Sequence, residues 1–373
     1  MSFVAGQPPG VPPAPVAFSG NRGRFLSLAS RGAALELVTF GFYRFWLVTD
    51  IRRHLWSHTL VDGDAPEYTG RGRELLVGFL FAMAILVPIY LVYFVIGIEA
   101  ERFKAFASVP LVIGFYAFGQ FAIYRARRYR LTRTVWRGVR FWMDGSGWAY
   151  AWRSMLWGLL VLVTLGGAYA WREAALERYK MHHSHYGDLQ GSFEGRGWEL
   201  FKRTWGLWLF GPVAWIIFPL LPIFYAEFKA REWRWWLCGI RFGDVRLESK
   251  LPNTALYGLY WKVIGWFLLF DLVIGAYVAL CVFLLKGSGP MEAAMQALPK
   301  NIPFMVLLVI GYLAFILAFN VVMRLYFQRD LWARVASSTK VHAIESAENV
   351  TAKGEAASAL GEGFADGLDV AGF

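Results

Sequence analysis

The sequence predicts an all-α integral membrane protein, a polytopic bundle of about six to eight membrane segments joined by short interfacial loops, and three observations carry that prediction. Hydrophobic residues make up 57% of the 373 residues and the mean hydropathy is +0.40, against the ~45–50% apolar content of a soluble domain. Apolar runs occupy Leu75–Ile98, Ala105–Tyr124, Ser154–Trp171, Thr204–Ala226 and Asn301–Met323, with a further run at Val263–Leu285 broken only by Asp271. Roughly 20 helical residues cross a hydrocarbon core of about 30 Å, so each run is long enough to enter one. The third observation is where charge lies: Lys and Arg, which give the chain a net charge of +11, gather beside those runs. That placement orients a protein in a bilayer, and the 18 Trp suit the two membrane interfaces.

The same placement argues against nucleic acid as a partner. The expected partners are the lipid bilayer and, at the basic loops, anionic lipid headgroups. Two cysteines, Cys238 and Cys281, make a disulfide framework improbable, and no removable signal peptide is visible at the N-terminus.

Residues 1–20, with their QPPGVPPAP stretch, read as a disordered arm and residues 335–373 as a disordered acidic tail, leaving 21–334 as the membrane domain. Gly32–Val48 is interrupted by Glu36 and Arg44, but an internal repeat makes it interpretable. Leu37-Val38-Thr39-Phe40-Gly41 recurs as Leu162-Val163-Thr164-Leu165-Gly166, Trp46 matches Trp171, and Arg53 matches Arg178. Gly70-Arg71-Gly72 then matches Gly195-Arg196-Gly197, each followed by Glu-Leu. A third copy from Arg128 carries Gly145 and Gly147, and a fourth around Arg231 has Glu248 in place of the first glycine. The units span about 37–75, 112–150, 162–200 and 215–253. Each reads as an apolar helix, a basic end, a short strand-like or turn stretch, Gly-x-Gly and the next helix.

The segments TFGFYRFW, RRHLWSHT and DAPEYTGRGREL, echoed at RARRYRLTRTVWRGVRF and LERYKMHHSHYGDLQGSFEGRGWELFKR, resemble the YjgN family of bacterial inner-membrane proteins, a family of unknown function. The resemblance covers about Phe18 to Arg334. It implies a bacterial cytoplasmic (inner) membrane location and a polytopic helical fold, and it transfers no catalytic or binding residue.

Loop 125–153 holds eight Arg against Asp144, and loop 227–262 is also basic; both are expected on the cytoplasmic side. Loop 172–203 conflicts. If Ser154–Trp171 and Thr204–Ala226 both span, giving seven crossings, that loop faces outward despite its basic residues. If both are hairpin-bent, all the repeat loops lie inside.

Gly70, Gly72, Gly145, Gly147, Gly195 and Gly197 are expected to form entry turns into helices, since no phosphate-loop signature accompanies them. His54, His58, His182, His183 and His185 lack the carboxylate or thiolate support of a metal site, and no metal or cofactor is expected. Trp233, Trp235 and Trp236, set among Arg231 and Arg234, read as a headgroup contact. No nucleophile–base signature supports an enzyme. Asp271, with Asn320 and Arg324 (or Arg31 and Arg44 beside the first segment) as candidate partners, is the candidate intramembrane polar site and is expected to face the bundle interior. The expected role is structural, or that of an assembly partner in the envelope. A small-solute transporter or channel is the alternative, because Pro/Gly-interrupted repeats are what such proteins use to build midplane sites.

Overall fold

The apolar runs become helices, and the loops between them become a single sheet. The computed structural model describes residues 12–100, 108–216, 221–286 and 302–358. Its first half comprises β1 (Ala14–Phe18), α1 (Arg22–Val38), α2 (Arg44–Ser57), β2 (Thr59–Val61), β3 (Glu67–Tyr68), α3 (Gly72–Ala100), α4 (Ser108–Thr132), β4 (Thr134–Trp136), β5 (Val139–Met143) and α5 (Gly147–Val163). There follow α6 (Tyr169–His182), β6 (Ser184–Tyr186), β7 (Leu189–Phe193), α7 (Gly197–Ile216), α8 (Leu221–Gly239), β8 (Ile240–Phe242), β9 (Val245–Ser249) and α9 (Tyr257–Lys286). The last helix starts as α10 (Ile302–Met323), passes through a π-helical turn (Arg324–Asp330) and ends as α11 (Leu331–Ser337), before β10 (Thr339–His342).

The strands form one ten-stranded sheet in the order β2-β1-β10-β9-β8-β7-β6-β5-β4-β3, with every pair antiparallel. Its two edge strands, β2 and β3, are consecutive in the chain, and in the turn that leaves β2 Val61 bridges to Asp64. The sheet curls as a half-barrel with β2 and β3 at its two edges, and both edge strands are short, which limits the backbone that an open edge exposes. Arg137, in the turn between β4 and β5, ties to the loop that follows β2, reaching Asp62 at 2.9 Å and Asp64 at 2.7 Å.

An all-α bundle of six to eight segments is therefore incorrect. Among the described residues three helices are long and apolar enough to cross a membrane: Gly72–Phe94, Tyr257–Leu284 and Ile302–Ser337. Ser154–Trp171 is not a straight span, because α5 stops at a tight turn and α6 comes back. Leu165 and Gly166 sit at φ 48° and 92°, and the Thr164 hydroxyl donates to the Leu160 carbonyl at 2.7 Å while accepting from the Ala168 amide at 3.0 Å. Gly32–Val48 breaks in the same way: Phe40 and Gly41 have φ 51° and 88°, and Thr39 bonds Leu35 and Tyr43 at 2.7 and 2.9 Å. Glycine takes positive φ without the Cβ clash that strains Phe40 and Leu165. Both turns carry bare apolar tips, with Phe40 95% and Leu165 82% exposed.

Sheet register also settles which loops lie together. Phe141 pairs with Tyr186, Trp142 with His185 and Met143 with Ser184, so loops 125–153 and 172–203 share one side and the seven-crossing count fails. The chain ends enter the sheet too: Ala14 faces Val341 and Pro15 faces Lys340. Residues 14–18 and 339–342 are thus strands rather than parts of a disordered arm and tail, while residues 1–11 and 359–373, where disorder was also expected, lie outside the described residues.

Four of the five helices that run directly into a strand end alike, the exception being α8, which enters β8 at Ile240. The hydroxyls of Thr59, Thr134, Ser184 and Thr339 donate to the carbonyls of Leu55, Arg130, Lys180 and Val335 at 2.7–2.9 Å. This satisfies a carbonyl that the helix end would leave without a partner. Two residues further on, the strands alternate inward, and Val61, Trp136, Tyr186, Phe242 and Val341 point into the curl. The main core lies where α8, α9 and α11 meet, around Ala230, Leu237, Leu256, Leu259 and Val335. Burying each such Leu contributes about 1.5–3 kcal/mol.

Candidate functional site

Two neighbouring cavities, sharing part of their walls, lie inside the curled sheet and among the helices that lead into it. The first, of about 390 Å³, is inside the sheet and lined from β1, β2 and β4 through β10 by side chains such as Val16, Phe141, Leu189, Phe242, Val245 and Val341. Its few polar groups are already committed. Thr59, Thr134 and Thr339 donate to backbone carbonyls, and the Tyr186 hydroxyl donates to the Trp136 carbonyl at 3.0 Å. A bound water needs two to four polar partners, so this chamber favours apolar matter.

The second cavity, about 620 Å³, lies among the helices leading into the sheet: α2, α4, α6, α8 and α11, with Tyr260 of α9. Its character is opposite. Arg127, Arg130, Lys180 and Lys229 face Glu173, Glu177 and Glu232 across it. Helical spacing places these groups: Glu173 and Glu177 are four apart on α6, and Lys229 and Glu232 three apart on α8, so each pair shares a face. Thr134, Trp233, Trp236 and Trp332 line both cavities and form the collar between them. Trp332 stacks on Trp56 at 5.2 Å, its indole N–H donates to Thr59 at 2.8 Å, and that of Trp56 donates to Thr134 at 3.0 Å.

The vestibule charges are tightly paired. Arg127 bonds both carboxylate oxygens of Glu177 at 2.8 and 3.2 Å, and Lys180 forms a second ion pair with it. Burial alone would raise the Glu177 pKa, but Arg127 and Lys180 outweigh it and hold the carboxyl at about 2. Lys229 meets Glu232 at 2.6 Å, and the Tyr169 hydroxyl donates to the same carboxylate. For Glu173 burial wins: its pKa is raised, against the lowering influence of Arg172 and Lys180. The vestibule therefore holds one firmly ionised carboxylate and one that protonates more readily.

Beyond β10 the chain crosses the turn end of the sheet. Ile344 and Ala347 line the chamber, Glu348 approaches Arg137 at 3.7 Å, the Thr351 amide donates to Asp188 at 3.1 Å, and Arg133 donates to the Ala357 carbonyl at 3.1 Å. Residues 344–357 thus form a strap over that mouth.

None of the residues singled out as an intramembrane polar site is in these cavities. Asp271 is exposed on α9 and has no hydrogen-bond or ion-pair partner among the described residues, Asn320 is half-buried on α10, and Arg324 pairs with Glu36 of α1 at 2.9 Å. The three are not brought together by ionic contact. Of the repeat glycines, Gly145 has positive φ, 79°. Gly72 and Gly197 do not; they are glycine because a Cβ would lie 2.8 Å from the Trp46 Cα and 2.7 Å from the Trp171 Cα, where helices α2 and α6 press against the start of the next helix. Gly70 and Gly195 lie under the rings of Tyr68 and Phe193, and Gly147 packs on Phe121. Trp233 and Trp236 line the axis and Trp235 is 3% exposed, so this trio faces inward rather than toward headgroups. His183 bonds Asp144 at 2.8 Å, His185 stacks on Trp142, and His54 lies over His58. Among the described residues no group of His, Cys, Asp and Glu could hold a metal ion.

The vestibule residues were visible in the sequence only as part of a basic loop count. The missed signal was the i, i+4 Glu pair of α6 together with the Lys-x-x-Glu of α8, charged faces beside apolar runs.

A family model for bacterial proteins of unknown function, DUF898, matches residues 13–232 and 212–345. The chain belongs to that bacterial family, the one named for YjgN. No curated protein and no solved structure matches it.

Proposed function

We propose that this chain is a multi-pass protein of the bacterial inner membrane that binds a small solute on the axis of its sheet, as part of a carrier or conduit. The observation that carries the reading is that an apolar chamber and a charged vestibule lie side by side and share a wall of three tryptophans, Trp233, Trp236 and Trp332. Cavities of ~300–1,000 Å³ with apolar walls and a few convergent polar groups are the usual form of small-molecule sites. An assembly role would not call for a hollow axis.

Topology supports the multi-pass part. The chain leaves the sheet at β3 and re-enters it at β4, so α3 and α4 go out and return, as do α9 and α10. The apolar sides of α3, α9 and α10 are exposed, including Leu91, Val92, Leu272, Leu284 and Ile310, which suits lipid. The Arg excess of loop 125–153 favours a cytoplasmic sheet, with basic residues near anionic headgroups. The recurring helix–hairpin–helix unit is consistent with internal repetition, the chain ends supplying a further strand pair, β10 and β1.

The test is binding of aminoanthracene, a small apolar fluorophore, to the protein in nanodiscs, with empty nanodiscs as reference. The reading expects saturable binding beyond partitioning into lipid, abolished by Ala336→Trp or Ala347→Trp, which place an indole in the chamber. Equal signal from protein-loaded and empty nanodiscs would overturn it.

A further inference from the structure

The axis is chemically divided, and that division specifies a ligand. We propose that the site takes a single-chain anionic amphiphile, its hydrocarbon chain in the sheet chamber and its anionic head in the vestibule; this rests on the axial-site reading above. The chamber walls carry no uncommitted hydroxyl, since Thr59, Thr134, Thr339 and Tyr186 all donate to carbonyls. A polar solute placed there would give up its water for nothing in return. An apolar chain loses nothing, and burial favours it by roughly 25 cal/mol per Å².

The vestibule sets the sign of the head. It presents four cations, Arg127, Arg130, Lys180 and Lys229, against three carboxylates, Glu173, Glu177 and Glu232. The excess of one positive charge grows whenever Glu173 is protonated, and burial makes that protonation easier. An anionic head restores neutrality in a partly desolvated space, whereas a cationic head would add to the excess. Charge-assisted hydrogen bonds from guanidinium and ammonium groups are the short, strong kind that hold carboxylates and phosphates. The collar separates head from chain: Trp233, Trp236 and Trp332 offer flat apolar faces to both cavities, and such rings suit the boundary between an apolar and a wet region.

A fatty acid and an alkyl phosphate share this chemistry, and competition distinguishes them. Aminoanthracene bound to the protein in nanodiscs is displaced by dodecanoate, dodecyl phosphate, dodecanol or dodecyltrimethylammonium. The proposal expects at least one of the two anions to displace the probe about tenfold more effectively than the cationic chain, from a charged hydrogen bond made or lost. The stronger of the two anions names the head. Arg130→Gln, which removes the excess positive charge of the vestibule, is expected to erase most of that preference, with far-ultraviolet circular dichroism matched to the wild type as the check that the variant folds. Should Arg130→Gln not fold, the wild-type anion-to-cation ratio decides alone. Equal or stronger displacement by dodecyltrimethylammonium, or no displacement by either anion from a site that does bind the probe, overturns the amphiphile and leaves the axial-site reading standing. No saturable probe binding removes both.

Discussion

Glu177 offers the most quantitative perturbation. It is 6% exposed and held between Arg127 and Lys180, themselves largely covered. The drop of its pKa from the ordinary 4.5 to about 2 corresponds to about 3 kcal/mol of stabilisation at ~1.36 kcal/mol per pKa unit. A carboxyl whose folded pKa is depressed stabilises fully above its unfolded pKa and loses that contribution as pH falls toward the folded value. Stability should therefore decline between about pH 4.5 and 2 by an amount of this order, and Glu173, with its raised pKa, should partly oppose the decline. Glu177→Leu removes the carboxylate at neutral pH and leaves two cations facing each other, for which a loss of about 3–5 kcal/mol is expected. The assay is detergent-driven unfolding followed by far-ultraviolet circular dichroism at neutral and acidic pH. The combined change Glu177→Leu, Arg127→Met, Lys180→Met should return to within about 1 kcal/mol of the wild type, because buried ion clusters often trade evenly against apolar packing. If Glu177→Leu alone falls within that same margin, the vestibule charges are not coupled as described.

Gly197→Ala should destabilise by about 1–3 kcal/mol through overpacking against Trp171, whereas Gly206→Ala, with open space around it, should be neutral or stabilising by up to about 1 kcal/mol from helix propensity; unfolding midpoints compare them. Arg137→Ala should speed amide exchange across Thr59–Tyr68 while the other strands keep their protection, since Arg137 ties Asp62 and Asp64 of the β2–β3 loop to Glu348; hydrogen–deuterium exchange reads this directly. Asp271→Leu should leave folded yield unchanged or raised, because an exposed carboxylate at a helix centre costs ~2.5–3.5 kcal/mol on insertion scales; a reduced yield would mean that the carboxylate has a partner.

The helices and their basic ends were legible because a run of twenty apolar residues is a strong local signal. The two places where Leu-Val-Thr-aromatic-or-Leu-Gly recurs do carry the same hydroxyl and amide bonds, at Thr39 and Thr164. What could not be read was that these motifs turn a chain rather than let it cross, since hydropathy alone does not distinguish a bent hairpin from a span. The strands escaped because each is two to five residues long, too short for a period-two pattern to stand out. Their pairing joins hairpins from distant loops, and Pro15 and the small polar residues after Ser337 made β1 and β10 resemble unstructured ends. Trp233 and Trp236 were misplaced for a related reason: a membrane interface and an axial collar call for the same amphipathic ring, and only tertiary packing tells which one a given residue serves. Gly72 and Gly197 were recognised as special positions, but sequence cannot separate a glycine needed for positive φ from one needed because another helix lies 2.7–2.8 Å from its missing Cβ.

The central claim is that all the β-hairpins lie on one side of the membrane, and site-directed thiol labelling tests it most directly. Single cysteines at Asp62, Gly138, Asp188 and Asp244, in a chain with Cys238 and Cys281 replaced, would be treated with an impermeant maleimide in intact and in permeabilised cells. One sheet at the cytoplasmic face predicts that none of the four reacts until the membrane is opened, and that all four then do. Labelling at position 188 in intact cells while positions 138 and 244 stay protected would place β6 and β7 on the opposite side from β5 and β8 and contradict the fold.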